Sequence, residues 1–213
     1  MLQTFPLLTC IFLVFSGSAW GSCQAEFDAI NKFRSTATPF EINTDITETD
    51  AGRVEYRSKV AIRVKNANSA QVAVSEGLIG GLTIVGGDGW AQSADGSWKA
   101  MSRTEVNFAL QRIVGGRFFD SIGAKELTCP GIRDFEGKSY KAYTYQQAVL
   151  EDGMDDGSHP YQRVLQSHVT ALFDPVSHLP MVGIIEVTDG PHKVVSIDRF
   201  RLNTAVKIEK PIQ

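Results

Sequence analysis

The chain has 213 residues, a formal net charge of −3 and 43% hydrophobic residues. That length suits one domain with a sizeable core. No basic run and no interleaving of aromatic with basic residues occurs, which excludes a nucleic-acid binder.

Met1 to Phe15 contains no charged residue, and an apolar run from Phe5 to Phe15 leads into Ser16, Gly17, Ser18 and Ala19. This reads as the h-region and small-residue cleavage region of a secretory signal, too short to anchor the chain across a bilayer. Cleavage after Ala19 or after Gly21 leaves a single domain over residues 22–213, in an oxidising compartment. Two cysteines then remain, Cys23 and Cys129, and under those conditions two cysteines usually pair. The bridge would close a loop of about a hundred residues and contribute at most about 4–5 kcal/mol through chain entropy. Trp20-Gly21-Ser22-Cys23 also loosely matches a lipoprotein cleavage site, in which Cys23 would be acylated instead.

Phe27, Ile30 and Phe33 recur every third residue between polar positions, predicting a short amphipathic helix over Cys23–Ala37 that Pro39 ends. Phe40–Thr49 alternates as a strand, and Asp50-Ala51-Gly52 turns it into Arg53–Lys65, R-V-E-Y-R-S-K-V-A-I-R-V-K. There Val54, Tyr56, Ser58, Val60, Ile62 and Val64 share one parity and charged residues fill most of the other, so one face is dry and one wet. At about 3.3 Å per residue this strand runs roughly 40 Å, as befits a large bent antiparallel sheet. Asn66-Ala67-Asn68 turns into a third strand with Val72 and Val74 inward. Leu78–Val85 reads as a buried or bulged strand.

Gly89–Lys99 is a hairpin. A three-residue loop Ala94-Asp95-Gly96 with a left-handed Gly96 places Trp90 and Trp98 on one face, where they would close the end of a cavity. Ser102-Arg103-Thr104-Glu105 is a capping box, followed by Val106, Leu110 and Ile113 at helical spacing and stopped by Gly115-Gly116. Phe118, Phe119 and Ile122 follow at once. This central insert is the expected cover for the dry face. The second half returns to strands: Leu127–Phe135, Ser139–Val149, Arg163–Phe173, Met181–Val187 and His192–Leu202. The run Asp198-Arg199-Phe200 breaks the period and suggests a bulge. Leu150–Pro160 reads as an acidic loop without the spacing of a calcium site, and Ala205–Pro211 as a short, partly ordered tail.

Four isolated histidines (His159, His168, His178, His192), no G-x-S-x-G elbow and no phosphate-cradling loop give no catalytic or metal constellation. The sequence reads as a non-enzyme without cofactor, with a hydrolase as a minor alternative.

Several segments together carry a family resemblance: C-Q-A-E-F-D-A-I, G-W-A-Q-S-A-D-G-S-W-K-A-M, L-T-C-P-G, E-G-K-S-Y-K-A-Y-T-Y and F-D-P-V-S-H-L-P. The chain resembles the LolA-like periplasmic proteins of Gram-negative bacteria, in particular a branch with two cysteines. In the last motif His178 stands where glycine is common. The resemblance implies an α+β fold: an open, strongly curved antiparallel β half-barrel of about eleven strands, with helices covering the concave face. It further implies a binder or carrier of a lipid or acyl chain, with lipid or an acylated lipoprotein as partner. Alternatively it implies a periplasmic sensor or interaction module that docks a membrane-associated protein. A monomer is expected. The residues expected to line an apolar cavity between sheet and helices are Val60, Ile62, Val64, Val72 and Val74 from the sheet, Trp90 and Trp98 from the hairpin, and Val106, Leu110, Ile113, Phe118 and Phe119 from the cover.

Overall fold

Alternating side chains and tight turns make a meander, and the chain runs two of them. The structure, a computed structural model, describes residues 19–76, 80–154 and 160–211; the expected signal segment before Ala19 and the acidic-loop residues Asp155, Asp156 and His159 lie outside them. Helix α1 (Ala19–Ile30) and a 3-10 turn (Arg34–Ala37) come first. Six strands follow: β1 (Phe40–Asp50), β2 (Arg53–Asn66), β3 (Ser69–Glu76), β4 (Gly81–Val85), β5 (Asp88–Gln92) and β6 (Trp98–Ala100). Helix α2 (Arg103–Val114) leads to the second meander: β7 (Lys125–Phe135), β8 (Lys138–Met154), β9 (Pro160–Phe173), β10 (Pro180–Asp189) and β11 (His192–Leu202).

All eleven strands form one open antiparallel sheet in the order β6-β5-β4-β3-β2-β1-β11-β10-β9-β8-β7. This is the open antiparallel half-barrel with helices on one face that the resemblance implied. The two meanders meet at β1 and β11, paired without interruption from Phe40↔Leu202 to Asp50↔His192. The expected bulge at Asp198-Arg199-Phe200 is therefore absent. The period breaks there because Asp198, a carboxylate, occupies an inward position opposite Thr44.

The topology forces the cover. To pass from the β6 edge to the β7 edge the chain crosses the inner face, and α2 with residues 115–124 is that crossing. Ser102 and Glu105 form the predicted capping box, each side chain bonded to the other's backbone N–H. The helix ends at Gly115, where a Cβ would lie 2.6 Å from the Gln111 carbonyl oxygen. Beyond it, Phe118 and Phe119 plunge onto the sheet. Phe118 packs against Phe40 and Phe200 at 5.5 and 5.4 Å, and Phe119 against Phe200 and Phe173 at 5.4 and 5.2 Å. Gly183 on β10 makes room, since a Cβ there would sit 2.9 Å from the Phe119 ring.

The predicted Cys23–Ala37 helix is in fact two pieces, because Asn31 to Arg34 serve the crossing segment instead. The fully buried Asn31 amide donates to Phe119 O at 2.7 Å and accepts from Phe119 N at 3.1 Å. Arg34 donates from Nε to Arg117 O and from Nη1 to Ile113 O, while Arg117 Nη1 donates to Asn31 O at 2.7 Å. Phe33 forms a β-bridge with Arg117 and is half exposed rather than part of a buried stripe. These bonds zip the two covering segments into one cap. Its α1 end is fastened to the edge strand β7 by the Cys23–Cys129 disulfide, 106 residues apart in sequence. Beneath α1, Phe27 meets Tyr143, Tyr145 and Phe173.

A smaller cluster on the outer face contains Tyr140, Ala142, Leu172 and Val182. The tail is better placed than expected: Ile208 is buried, and Lys210 stacks on Trp90 at 5.1 Å and pairs with Asp88 at 3.2 Å. His178 has the left-handed φ of 56° that explains why glycine suits that turn.

Replacing Asn31 with Ala leaves the Phe119 N–H and C=O without partners in the core. An unmade pair of this kind costs about 2–3 kcal/mol. The expected result is a loss of that size in denaturant unfolding, with unchanged far-ultraviolet circular dichroism of the folded state.

Candidate functional site

The inner face can be traced strand by strand through the register. Phe40, Ile42, Thr44 and Ile46 on β1 stand beside Val64, Ile62, Val60 and Ser58 on β2. On the other side they meet Leu202, Phe200, Asp198 and Ser196 on β11. The face continues through Val72 and Val74 on β3, Gly183, Ile185 and Val187 on β10, and Ala171, Val169 and Ser167 on β9.

The cap divides this face obliquely. Under it, Phe40, Ile42, Val64, Phe200, Ala171 and Val169 are buried in the main core cluster with Phe118, Phe119 and Ile113. Beyond its margin the aliphatic positions Ile46, Val60, Val74, Val187 and Val194 are all partly exposed, while Ser58 and Ser167 beside them are buried. The inner face thus passes from packed aromatic rings to a partly exposed aliphatic strip, the trough.

The residues expected to line a cavity separate accordingly. Val64, Ile113, Phe118 and Phe119 are packed core, with Ile62, Val72 and Leu110 against its edge. Val60 and Val74 face each other across β2 and β3 in the open part. Val106 is buried over Gly89, where a Cβ would come within 2.5 Å of it, so α2 rests on β5.

Trp90 and Trp98 require a correction. The loop is the three-residue one, with Gly96 at φ 83°, Gly96 N donating to Ser93 O and Ser93 N donating to Ser97 O, and the two indoles do share a face. Trp90 pairs with Thr83, Thr83 with Gln71 and Gln71 with Arg63, which is the outer face. The parity of a hairpin three strands away from β2 depends on every intervening register, so the face could not be assigned from local alternation. The tryptophans do not line the space under the cap.

Sequence reasoning missed the polar groups at the margin. Thr44 Oγ1 donates to Asp198 Oδ1 at 2.7 Å on the inner face. Burial raises the Asp198 carboxyl above its ordinary value, opposed by the Thr44 hydrogen bond and by the charge of Arg34. Burial likewise lowers Arg34, opposed by Asp198 and Asp120. A cap cation thus faces a sheet anion where the covered and open parts of the trough meet. The broken alternation at Asp198 was the signal in the sequence; nothing local marked Arg34 or Asn31.

The outer face has the opposite character. Arg63 is bonded to Glu41 at 3.1 Å and to Gln71 at 3.2 Å, Lys59 pairs with Glu76 at 2.9 Å, and Arg199 bridges Asp45 and Glu136. Such exposed pairs contribute little stability each and mark a solvated surface. Among the described residues no group of three or more His, Cys, Asp or Glu side chains is placed to hold a metal ion, and no helix is long and apolar enough to cross a membrane.

Because the Asp198 carboxyl is raised in the folded state, its charge opposes folding: the cost is absent below its unfolded value and grows as pH rises through the folded one. Asp198→Asn removes that cost and keeps an acceptor for Thr44. The variant's stability relative to the parent is expected to rise as pH climbs above the ordinary carboxylate range, measured by thermal unfolding from acid to neutral pH.

No protein-family model matches the sequence, and no curated protein matches it. Solved structures do. The chain is similar to the lipoprotein LppX of Mycobacterium tuberculosis, at 14% identity over 90% of this chain and 100% of that one, with a TM-score of 0.49. It is similar to LprF of Mycobacterium bovis, at 9% identity over 89% and 98% of the two chains, TM-score 0.47. A LolA superfamily protein from Nitrosomonas europaea matches at 13% identity over 86% and 94%, TM-score 0.37. These are likenesses of shape, at identities that carry no residue's role across.

Proposed function

We propose that the chain is an exported, non-enzymatic binder or carrier of a lipid or acyl chain, which lies along the uncovered part of the inner face. The observation that supports this most is that the inner-face apolar positions, buried at Phe40, Val64 and Phe200, are partly exposed at Ile46, Val60 and Val194, with Ser58 opposite Ile46 still buried. A sheet that needed only a core would end its apolar positions where its cover ends. Here the aliphatic parity continues past the cap.

Binding follows from area. Each methylene removed from water contributes about 0.8 kcal/mol, so ten to twelve of them laid in the trough offset the cost of ordering the chain. The aromatic end, closed by Phe118 and Phe119, limits how far the ligand reaches without a shift of the cap. Asp198 and Thr44 at the margin suit a polar or hydroxylated group rather than more hydrocarbon. Deeper entry needs the cap to move on the sheet, and the cost of uncovering its rings sets that barrier.

The test uses protein purified from its own compartment together with direct titration. Native mass spectrometry is expected to find an amphiphile bound, and a fluorescent fatty acid is expected to bind the emptied protein. Val60→Asp and Val194→Asp each place a charge on the trough and should weaken uptake at least tenfold. Both side chains are already partly exposed, so thermal stability should fall little. A protein that neither carries an amphiphile nor takes one up rules the reading out; capture of a specific membrane protein by such an empty chain would favour the sensor alternative.

A further inference from the structure

The solvent side of the cap carries a groove of about 700 Å³ between α1, the 3-10 turn and the segment after α2. Its chemistry differs from that of the trough. Arg34, Arg112 and Arg117 line it, with Asp28 and Asp120 as the only carboxylates among its lining residues. In a chain of net charge −3 this is a locally cationic place.

Large apolar side chains that no described residue covers line the groove (Phe33, Ile122) or stand under its Arg112 (Phe108). Phe33 is 49% exposed, Phe108 60% and Ile122 85%. Ile122 sits at a turn tip ahead of Gly123, whose φ is 72°. Both phenylalanines lie under guanidinium groups, Arg117 at 4.9 Å from the Phe33 centroid and Arg112 at 5.5 Å from that of Phe108.

We infer that this face of the cap seats on an anionic lipid bilayer. Aromatic and aliphatic side chains standing beside arginines suit the headgroup–acyl boundary: the apolar groups enter it and the guanidiniums pair with lipid phosphates. Arg117 is held by a backbone carbonyl of the cap, so its charge is fixed in direction before any lipid arrives, while Arg34 is turned to Asp198 on the sheet side. Arg112, exposed on α2 over the Phe108 ring, meets phosphate first. Asp28 and Asp120 limit the attraction; Asp28 accepts from Gln24 and Asp120 from the Ile122 backbone, and both remain in the groove. The surface is separate from the trough and does not require an acyl chain there.

The experiment is co-sedimentation of the full mature protein with vesicles of phosphatidylglycerol mixed into phosphatidylcholine, against phosphatidylcholine alone. Binding is expected on the anionic vesicles only, and is expected to fade as salt rises from about 0.05 M to about 0.5 M. Arg112→Gln should weaken it roughly fivefold, and Ile122→Asp or Phe108→Asp should abolish most of it. All three positions are exposed, so circular dichroism and fatty-acid uptake in vesicle-free solution should match the parent. Absence of binding to anionic vesicles overturns the inference, as does equal binding to both compositions or indifference to Ile122→Asp and Phe108→Asp. Uptake that fails while vesicle binding persists strikes the carrier reading alone.

Discussion

The pairing of β1 with β11 is the constraint on which the molecule depends. It joins residues about 150 apart in sequence, as in the Thr44–Asp198 hydrogen bond, and fuses two local meanders into one sheet. Every other strand neighbour is also a neighbour in the chain. Local hairpins form early and cheaply, whereas this seam must overcome the entropy of closing nearly the whole chain. Its uninterrupted register fixes which side chains of both halves share a face. The inner face therefore exists as a single surface only once the seam is made.

With the seam in place, the two free edges lie at β6 and β7, and the chain must cross between them. The crossing is too short to cover so wide a sheet, and this gives the molecule its two unlike regions. Where α1 and residues 113–119 are stitched together by Asn31, Arg34 and Arg117, buried rings fill the gap. Where the stitching ends, aliphatic β positions stand partly open. Filled and open regions are consequences of one length mismatch between a covering segment and the strands beneath it.

Much of the frame was legible in the sequence. Alternation in Arg53–Lys65 and Phe40–Thr49, the Ser102/Glu105 capping box and the Ala94-Asp95-Gly96 loop are local signals with local causes, and each element formed where its signal stood. The misses share another cause. Helix periodicity over Cys23–Ala37 was overridden by Asn31, whose amide is worth more against Phe119 than within a helix. The face of Trp90 and Trp98 is the sum of registers across β2 to β5. Asp198 looked like a defect in alternation because a buried carboxylate and a bulge leave the same mark on a pattern of apolar residues. Of the candidate lining residues, periodicity identified the inward parity of β2 and β3, but how far the cap extends over Val60 and Val74 is a property of the assembled sheet.

The Cys23–Cys129 bond sets what kind of motion the cap can have. It pins the beginning of α1 to the outermost strand, while the far end of the cap is tied to β5, where Val106 lies over Gly89 and Met101 N donates to Gly89 O at 2.8 Å. A cap fastened at both corners does not lift away as one body. A reductant would release the α1 corner and leave that end held by packing and by polar contacts such as Glu26–Lys141 and Asn31–Phe119.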